Sequence, residues 1–253
     1  GGANGSNGPD AEAQVNPWDF LLMLEGSTAL RGETTRRLDA RVEGRASVPF
    51  ALHSHAVGHA TRGREKTDRG EQWMPLWDRP ATFADVESLL GEGRVQLGRA
   101  VASRPLDFAR AIGKLGVARG LSGFERYGYL ERNGQSKIAV PLGRIQAVAR
   151  VRARLVDDIG GWLDRLQRLV RDGDAPTRLA VAESGVADAT FAALTGADSP
   201  AKWQGILVHA ARVEALQATG TGIEAGPIPK LSPEWLDAAR DDSPEWRLAV
   251  ALG

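Results

Sequence analysis

Twelve lysines and arginines lie between Arg99 and Arg154, in a chain whose formal net charge is zero. They are Arg99, Arg104, Arg110, Lys114, Arg119, Arg126, Arg132, Lys137, Arg144, Arg150, Arg152 and Arg154. Only 3 acids accompany them, so the segment has a formal charge of +9 and the rest of the chain −9. Such a distribution attracts a polyanion to one face of a protein. Because guanidinium groups grip phosphate with two hydrogen bonds and stack on bases, the segment predicts a nucleic-acid-binding surface.

The stretch after Gly116 combines these cations with glycines and aromatic residues. Glycines surround Arg119, and cations then alternate with Tyr127 and Tyr129. Phosphate contacts supply affinity, while aromatic rings stack on bases. The two tyrosines share one face of a strand, and we expect that face to enter the core and leave Arg126 outside. The predicted backbone contacts are Arg110, Lys114, Arg119, Arg126, Lys137 and Arg144.

The basic segment is also compatible with two roles that involve no nucleic acid. The cations can form a solvated surface paired with acids of the same chain. They can also dock an acidic neighbouring protein. A further candidate contact to a duplex lies in the glycine-rich stretch Gly1–Val15, where Asn4 and Asn7 stand among residues that tolerate close backbone approach.

Motifs that would support catalysis are weak or missing. His53, His55 and His59 have a spacing that places them on one strand face, as a three-histidine zinc site requires. That spacing makes a metal-dependent hydrolase a remote alternative, since no acid lies in the segment to orient the imidazoles. There is no G-x-S-x-G elbow and no Walker A motif. The sequence therefore predicts a protein that is not an enzyme, with no metal and no cofactor.

Cap and proline signals predict the helices that hold these residues. Asn16-Pro17 starts a helix that ends near Gly26, Thr82 caps a helix through Leu90, and Pro105 begins one through Leu115. Further helix is expected from Val95, and again from Ile145 to Arg171, where seven apolar residues form a stripe.

Strands are predicted in the first part of the chain. Asn133-Gly134 indicates a hairpin with strands over 124–131 and 136–141. Residues 46–57 resemble a strand, placed at a sheet edge by Pro49. Residues 73–77 are expected to form a proline-fixed turn that packs Trp73 and Trp77 together.

The expected fold is a mainly helical α+β chain, with a small antiparallel sheet first and a helical bundle second. We place the two parts at 1–145 and 146–253, the second helical and acidic. The 42% hydrophobic content is that of an ordinary globular protein, and zero cysteine fits a reducing compartment such as the cytoplasm. The glycine-rich beginning and the helix that stops at Gly253 predict a piece of a longer protein.

Five stretches, in chain order, resemble a known family. They are NPWDFLLMLEG (16–26), QWMPLW (72–77), EGR (92–94), LDFARAIGKLGVARGLSGFERYGYLERNG (106–134) and AVPLGR (139–144). Residues 1–144 thereby resemble the large subunit of the type I-G CRISPR effector complex, formerly called type I-U, and the helical remainder resembles it loosely.

This resemblance implies a non-catalytic subunit of an RNA-guided surveillance complex in prokaryotic antiviral defence. Such a subunit recognises a short motif beside the target, helps to open the duplex, holds the displaced strand and offers a surface to a helicase-nuclease. The implied partners are target double-stranded DNA, guide RNA and the other effector subunits, with no membrane. Base pairing reads the target sequence in such systems, while protein reads the flanking motif.

Overall fold

The computed structural model describes residues 16–29, 33–34, 46–47, 50–53, 70–91, 96–97, 100–101, 104–115, 120–132, 136–171, 175–219 and 225–252. The α-helices among them are α1 (Pro17–Ala29), α2 (Phe83–Gly91), α3 (Pro105–Leu115), α4 (Val156–Arg171), α5 (Thr177–Thr195), α6 (Pro200–Ala218), α7 (Glu234–Ala239) and α8 (Pro244–Leu252). The strands are β1 (Glu33–Thr34), β2 (Ala46–Ser47), β3 (Ala51–His53), β4 (Gly70–Trp77), β5 (Gln96–Leu97), β6 (Ala100–Val101), β7 (Leu121–Arg132) and β8 (Ser136–Gln146). The fold is thus mainly helical α+β, which confirms the predicted class.

Two compact units divide the chain. The first unit comprises Gly1–Phe108 and Val117–Ala147, and the second comprises Ala109–Gly116 and Val148–Gly253. The division after Ala147 lies two residues beyond the division proposed from the sequence. The second unit also takes Ala109–Gly116 from within the first part of the chain, which the sequence did not indicate.

An antiparallel sheet with strand order β3-β4-β7-β8 organises the first unit. Its core is a cluster of aromatic rings from Phe50, Trp73, Phe108 and Phe124, all nearly fully buried. Trp73 and Phe108 have ring centroids 4.5 Å apart, and Phe108 meets Phe124 edge-on at 5.2 Å. Such edge and tilted arrangements add to the stabilisation that ring burial already provides.

Strand β4 corrects the expectation of a turn at residues 73–77. Pro75 lies within a continuous strand, opposite Phe124 of β7. Because β3 pairs only with Gly70–Gln72, β4 has a neighbour on one side alone at Pro75 within the described sheet. A proline is tolerated there, since no second ladder needs its missing N–H.

Two helical predictions around the sheet are also wrong. Instead of helix after Val95, β5 and β6 form a short antiparallel pair, which suits the weak helix propensity of Val95 and Gly98. Strand β8 continues through Gln146, and a 3₁₀ helix over Val151–Leu155 precedes α4. Ile145 is apolar because it lines the sheet core, so its periodicity belongs to the strand.

The secondary-structure elements in the described part of the second unit are all helices. The predicted stripe is buried at Leu155, just before α4, and at Ile159, Trp162, Leu163 and Leu166 of α4. A second centre forms where Trp203 of α6 meets Trp235 of α7 edge-on, with ring centroids 5.5 Å apart. None of the described helices is long and apolar enough to cross a bilayer.

Candidate nucleic-acid interface

The predicted hairpin is present and is longer than its sequence signal indicated. β7 and β8 pair from Gly123 opposite Gln146 to Arg132 opposite Ser136. Leu142 is an extra residue in β8, since Arg126 pairs with Gly143 and Tyr127 with Pro141. Gly143 has a φ of 112°, which favours glycine at this bulge. The stretches FERYGYLER (124–132) and AVPLGR (139–144) therefore belong to the two strands of one bulged ribbon.

Glu125, Tyr127, Tyr129 and Arg144 lie on the face of this ribbon that points away from the aromatic core, here called the tyrosine face. The alternation of β7 puts the first three on one side, opposite to Phe124. Arg144 joins them because it pairs with Glu125 in register. Both tyrosines are half-buried.

Arg144 is the most accessible of the predicted contacts whose side chains are described. Its side chain is 75% exposed, and its Nε donates a hydrogen bond to Glu125. That hydrogen bond, together with the carboxylate charge, raises the pKa of Arg144 above its ordinary value. A permanently charged guanidinium therefore stands near Tyr127 at the bulge of β8. Its contact with nucleic acid stays a prediction.

Arg126 lies on the core face, a position that does not favour its predicted phosphate contact, which stays a prediction. Its Nη2 and Nε donate to the two carboxylate oxygens of Glu71, at 2.9 and 3.1 Å. Glu71 also accepts the indole N–H of Trp73 at 3.0 Å. The guanidinium carbon stands 5.3 Å from the centroid of the Trp73 ring. Phe124, two residues earlier and in the core, was the sequence signal that Arg126 shares the buried face.

Arg110 is likewise buried, which does not favour its predicted contact with a polyanion, and that contact stays a prediction. α3 is buried on almost its whole circumference, and the Arg110 side chain is 7% exposed. In the second unit its Nη1 donates to Asp164 at 3.2 Å. α4 makes room for it at Gly160, where an added Cβ would overlap the guanidinium.

The last three arginines of the basic segment belong to the second unit and have partners there. Arg150 donates to the carbonyl oxygens of Gly196 and Thr195. Arg152 pairs with Asp198 at 2.6 Å, and Arg154 pairs with Glu234 at 2.8 Å. Within the described residues, pairing of cations with acids of the same chain therefore applies to several arginines.

Several sequence predictions lie outside the described residues. Asn4, Asn7 and Arg119 are among them, as are the side chains of Lys114 and Lys137, whose backbones belong to α3 and β8. These five remain predictions.

The structure describes only one of the three histidines of the predicted zinc site. His53 ends β3, while His55 and His59 lie outside the described residues. Among residues the structure does describe, no three His, Cys, Asp or Glu side chains come close enough to hold a metal.

A feature that sequence reasoning missed is the cleft beside Trp77. It has a volume of about 390 Å³ and is lined by Trp77, Arg79 and Gly120, among others. Gly120 has a φ of 73°, and a side chain there would collide with the Arg79 guanidinium, 2.7 Å from its Nε. Arg79 is exposed and lies outside the basic segment, so charge counting along the chain did not find it.

No protein-family model matches this chain, and no curated protein matches it either.

Proposed function

We propose that this chain is the non-catalytic large subunit of an RNA-guided CRISPR surveillance complex, related to type I-G, which binds target DNA in antiviral defence. The proposal is supported by where the stretches that carry the resemblance lie in the fold. QWMPLW lies in β4, FERYGYLER (124–132) in β7 and AVPLGR in β8, and these strands are neighbours in one sheet. These three of the stretches that carry the resemblance thus belong to one contiguous structural element.

In this role the protein reads the flanking motif and stabilises the opened duplex, while the guide RNA pairs with the target strand. Its partners are target double-stranded DNA, guide RNA, the other effector subunits and the recruited helicase-nuclease. It needs no cofactor, and it works in the prokaryotic cytoplasm.

The observation that carries nucleic-acid binding is the tyrosine face. An exposed guanidinium beside two half-buried tyrosines is a combination suited to single strands, which place phosphate on the cation and bases on aromatic rings. Arg144 can leave Glu125 for a phosphate, because its own side chain is 75% exposed and water weakens the ion pair from that side, while Glu125 is 16% exposed. Arg79, exposed at its cleft, is a second candidate contact in the same unit.

The test is binding of the full chain to labelled duplex DNA, single-stranded DNA and RNA at two salt concentrations. Arg144→Ala is compared with Arg240→Ala, since Arg240 is also exposed and paired with a neighbouring carboxylate. We expect Arg144→Ala to weaken binding and to reduce the slope of log affinity against log salt by about 0.9 on duplex or about 0.7 on a single strand. Arg240→Ala should change neither quantity.

Salt-independent binding, no binding, or equal effects of the two variants would contradict this assignment. Arg126 is unsuitable for the same test, because removing that side chain leaves Glu71 buried without its partner. A loss of DNA affinity in an Arg126 variant would then report unfolding.

A protein-only docking module is the second candidate, and the exposure of β8 favours it. β8 is the outer strand of the described sheet, and residues 141–144 are all exposed. A strand edge of this kind offers unpaired backbone groups to another chain. If this candidate holds, Arg144→Ala weakens assembly with neighbouring subunits and leaves the DNA affinity of the assembled complex unchanged.

A further inference from the structure

Helix α1 is apolar and exposed around its circumference. Its large apolar side chains are between 47 and 72% exposed, and they are Trp18, Phe20, Leu21, Leu22, Met23 and Leu24. Among the described elements, α1 contacts α2 most. A helix that is apolar on all sides is normally buried in a core or against another molecule. The exposure of α1 therefore indicates a surface that another molecule covers.

The helix is already formed before any partner arrives. Asn16 Oδ1 accepts the Trp18 backbone N–H at 3.0 Å, and the Ser27 hydroxyl donates to the Leu24 carbonyl at 2.7 Å. A helix of 13 residues draws most of its stability from packing. Here that packing is slight, whereas capping holds the first turn. A preformed helix loses little conformational freedom when it docks, which favours affinity.

The charged residues that α1 and α2 themselves contribute are all acids. α1 contains Asp19 and Glu25 and no lysine or arginine, and α2 contains Asp85 and Glu87 and likewise no base. Neither helix has a basic residue in its last turn, so the negative end of each helix dipole has no cation of its own helix beside it. The complementary surface is one that brings lysines and arginines.

This charge pattern separates the possible occupants. The acids repel the phosphates of a nucleic acid and the headgroups of anionic lipids, which attract helices rich in lysine and arginine. A second copy of α1 would bring acids against acids. An apolar protein surface with a basic rim matches both the exposed apolar side chains of α1 and the acidic composition of the two helices.

We propose that α1 docks, as a preformed helix, into an apolar groove of another protein whose rim carries lysine or arginine. This is the helix-in-groove mode of recognition, read by side chains three and four residues apart. Trp18 and Leu22 are one helical turn apart and form the anchor. The inference goes beyond the proposed nucleic-acid role and stands whether or not the tyrosine face binds DNA.

The experiment places a photo-crosslinking amino acid at position 23 of the full chain, in the cells that produce it. The crosslinked protein and the attachment site are identified by mass spectrometry, and that protein is purified for affinity measurements. The variants are Leu22→Glu and Asp19→Lys. The matched control is Leu248→Glu on α8, because Leu22 and Leu248 are 64 and 61% exposed. Phosphatidylglycerol vesicles, duplex DNA and the chain itself are separate binding arms.

We expect the crosslink to map to an apolar groove flanked by lysine or arginine. Leu22→Glu should weaken binding to the purified partner about 30-fold, as truncation of an anchor does, and Asp19→Lys about tenfold by charge reversal. Leu248→Glu should bind as the unaltered chain does. Circular dichroism on each variant checks that the fold is retained, which we expect because these side chains face solvent.

Four results would overturn the proposal. The first is a crosslink to a second copy or within the same chain, and the second is binding to the vesicles or DNA that Leu22→Glu abolishes. The third is a partner surface without basic residues, and the fourth is equal affinity of Leu22→Glu and the unaltered chain for the purified partner. Duplex binding is measured on Leu22→Glu as well. If the tyrosine face fails to bind nucleic acid while groove docking holds, the proposed function falls and this inference remains.

Discussion

The sheet of the first unit contains two arginine–glutamate pairs, Arg126–Glu71 between β7 and β4 and Arg144–Glu125 between β8 and β7. The side chains of Arg126 and Glu71 are 13 and 1% exposed, whereas those of Arg144 and Glu125 are 75 and 16% exposed. The residue types are the same and the strands are neighbours, so burial is the main difference. A buried pair cannot release its cation without leaving an uncompensated charge, while an exposed pair can exchange its partner for a ligand. One arginine therefore holds the sheet together, and the other is available for binding.

The largest effect is expected from Arg126→Ala. The substitution leaves the Glu71 carboxylate buried without its guanidinium partner, although it still accepts the Trp73 indole N–H. An uncompensated buried charge costs about 3–5 kcal/mol, and urea unfolding followed by circular dichroism measures the loss. Replacing both partners, Glu71→Leu with Arg126→Leu, should cost much less, because no charge remains. If the unfolding free energy of Arg126→Ala equals that of the unaltered chain, the buried Arg126–Glu71 pair does not stabilise the sheet.

A smaller loss is expected from Gly123→Ala, which tests the spacing of β7 and β8. An added Cβ would overlap the carbonyl oxygen of Ile145, a backbone atom that cannot turn aside. Forcing the strands apart should cost about 1–3 kcal/mol of unfolding free energy. Gly161→Ala is the control, since its Cβ meets nothing within 4 Å in α4, and it should stabilise the protein by about 0.4–1 kcal/mol. Equal losses of unfolding free energy in Gly123→Ala and Gly161→Ala would show that the spacing of β7 and β8 is not the cause of the destabilisation.

A carboxylate of intermediate burial, Asp158 of the second unit, should give a pH-dependent effect. Burial raises its pKa, but hydrogen bonds from Ser232 and the Trp235 indole outweigh this and hold the pKa below its ordinary value. A depressed pKa stabilises the fold above the unfolded value of about 3.9, and this contribution is lost as the pH falls through the folded value. Thermal midpoints measured across the acid range should thus fall less steeply in Asp158→Asn.

Asp157→Asn is the control for that measurement. It leaves both hydrogen bonds to Asp158 in place. If the two variants show the same dependence of the midpoint on pH, the bonds from Ser232 and Trp235 are not the source of the acid sensitivity.

The smallest effect on stability is expected from Arg144→Ala. Water already solvates the Arg144 guanidinium, whose side chain is 75% exposed, and reaches part of Glu125, which is 16% exposed. The urea midpoint should therefore not change measurably. The same variant should weaken nucleic-acid binding if the proposed function is correct. A midpoint lowered as far as in Arg126→Ala would show that the two pairs do not differ as their burial suggests.

Local signals were sufficient for much of the fold. Pro105 and Thr82 mark α3 and α2, and Asn133-Gly134 marks the β7–β8 hairpin, because caps and turns depend on a few adjacent residues. Pro75 and Ile145 misled the prediction because each was judged by its neighbours in sequence. Pro75 is accommodated by the short reach of β3, and Ile145 belongs to a strand that core packing extends.

The candidate site was less predictable than the fold. Charge counting found a basic segment, but it could not distinguish Arg144 from Arg126 or Arg110, since all three carry the same charge. Glu71 and Asp164 lie 55 and 54 residues away from their arginines, so no local pattern indicates these pairs. Arg79 was missed for a related reason, because its cleft forms only when β4, α2 and Gly120 come together.

The sequence by itself determined the helix starts, the hairpin, the apolar stripe of α4 and the location of positive charge along the chain, since these depend on residue type and short spacing. The tertiary structure alone decided which arginines are buried against carboxylates, which face solvent, and that the apolar helix α1 lies exposed. Burial results from contacts between residues far apart in sequence, and burial determines whether a charge stabilises the fold or remains free to bind.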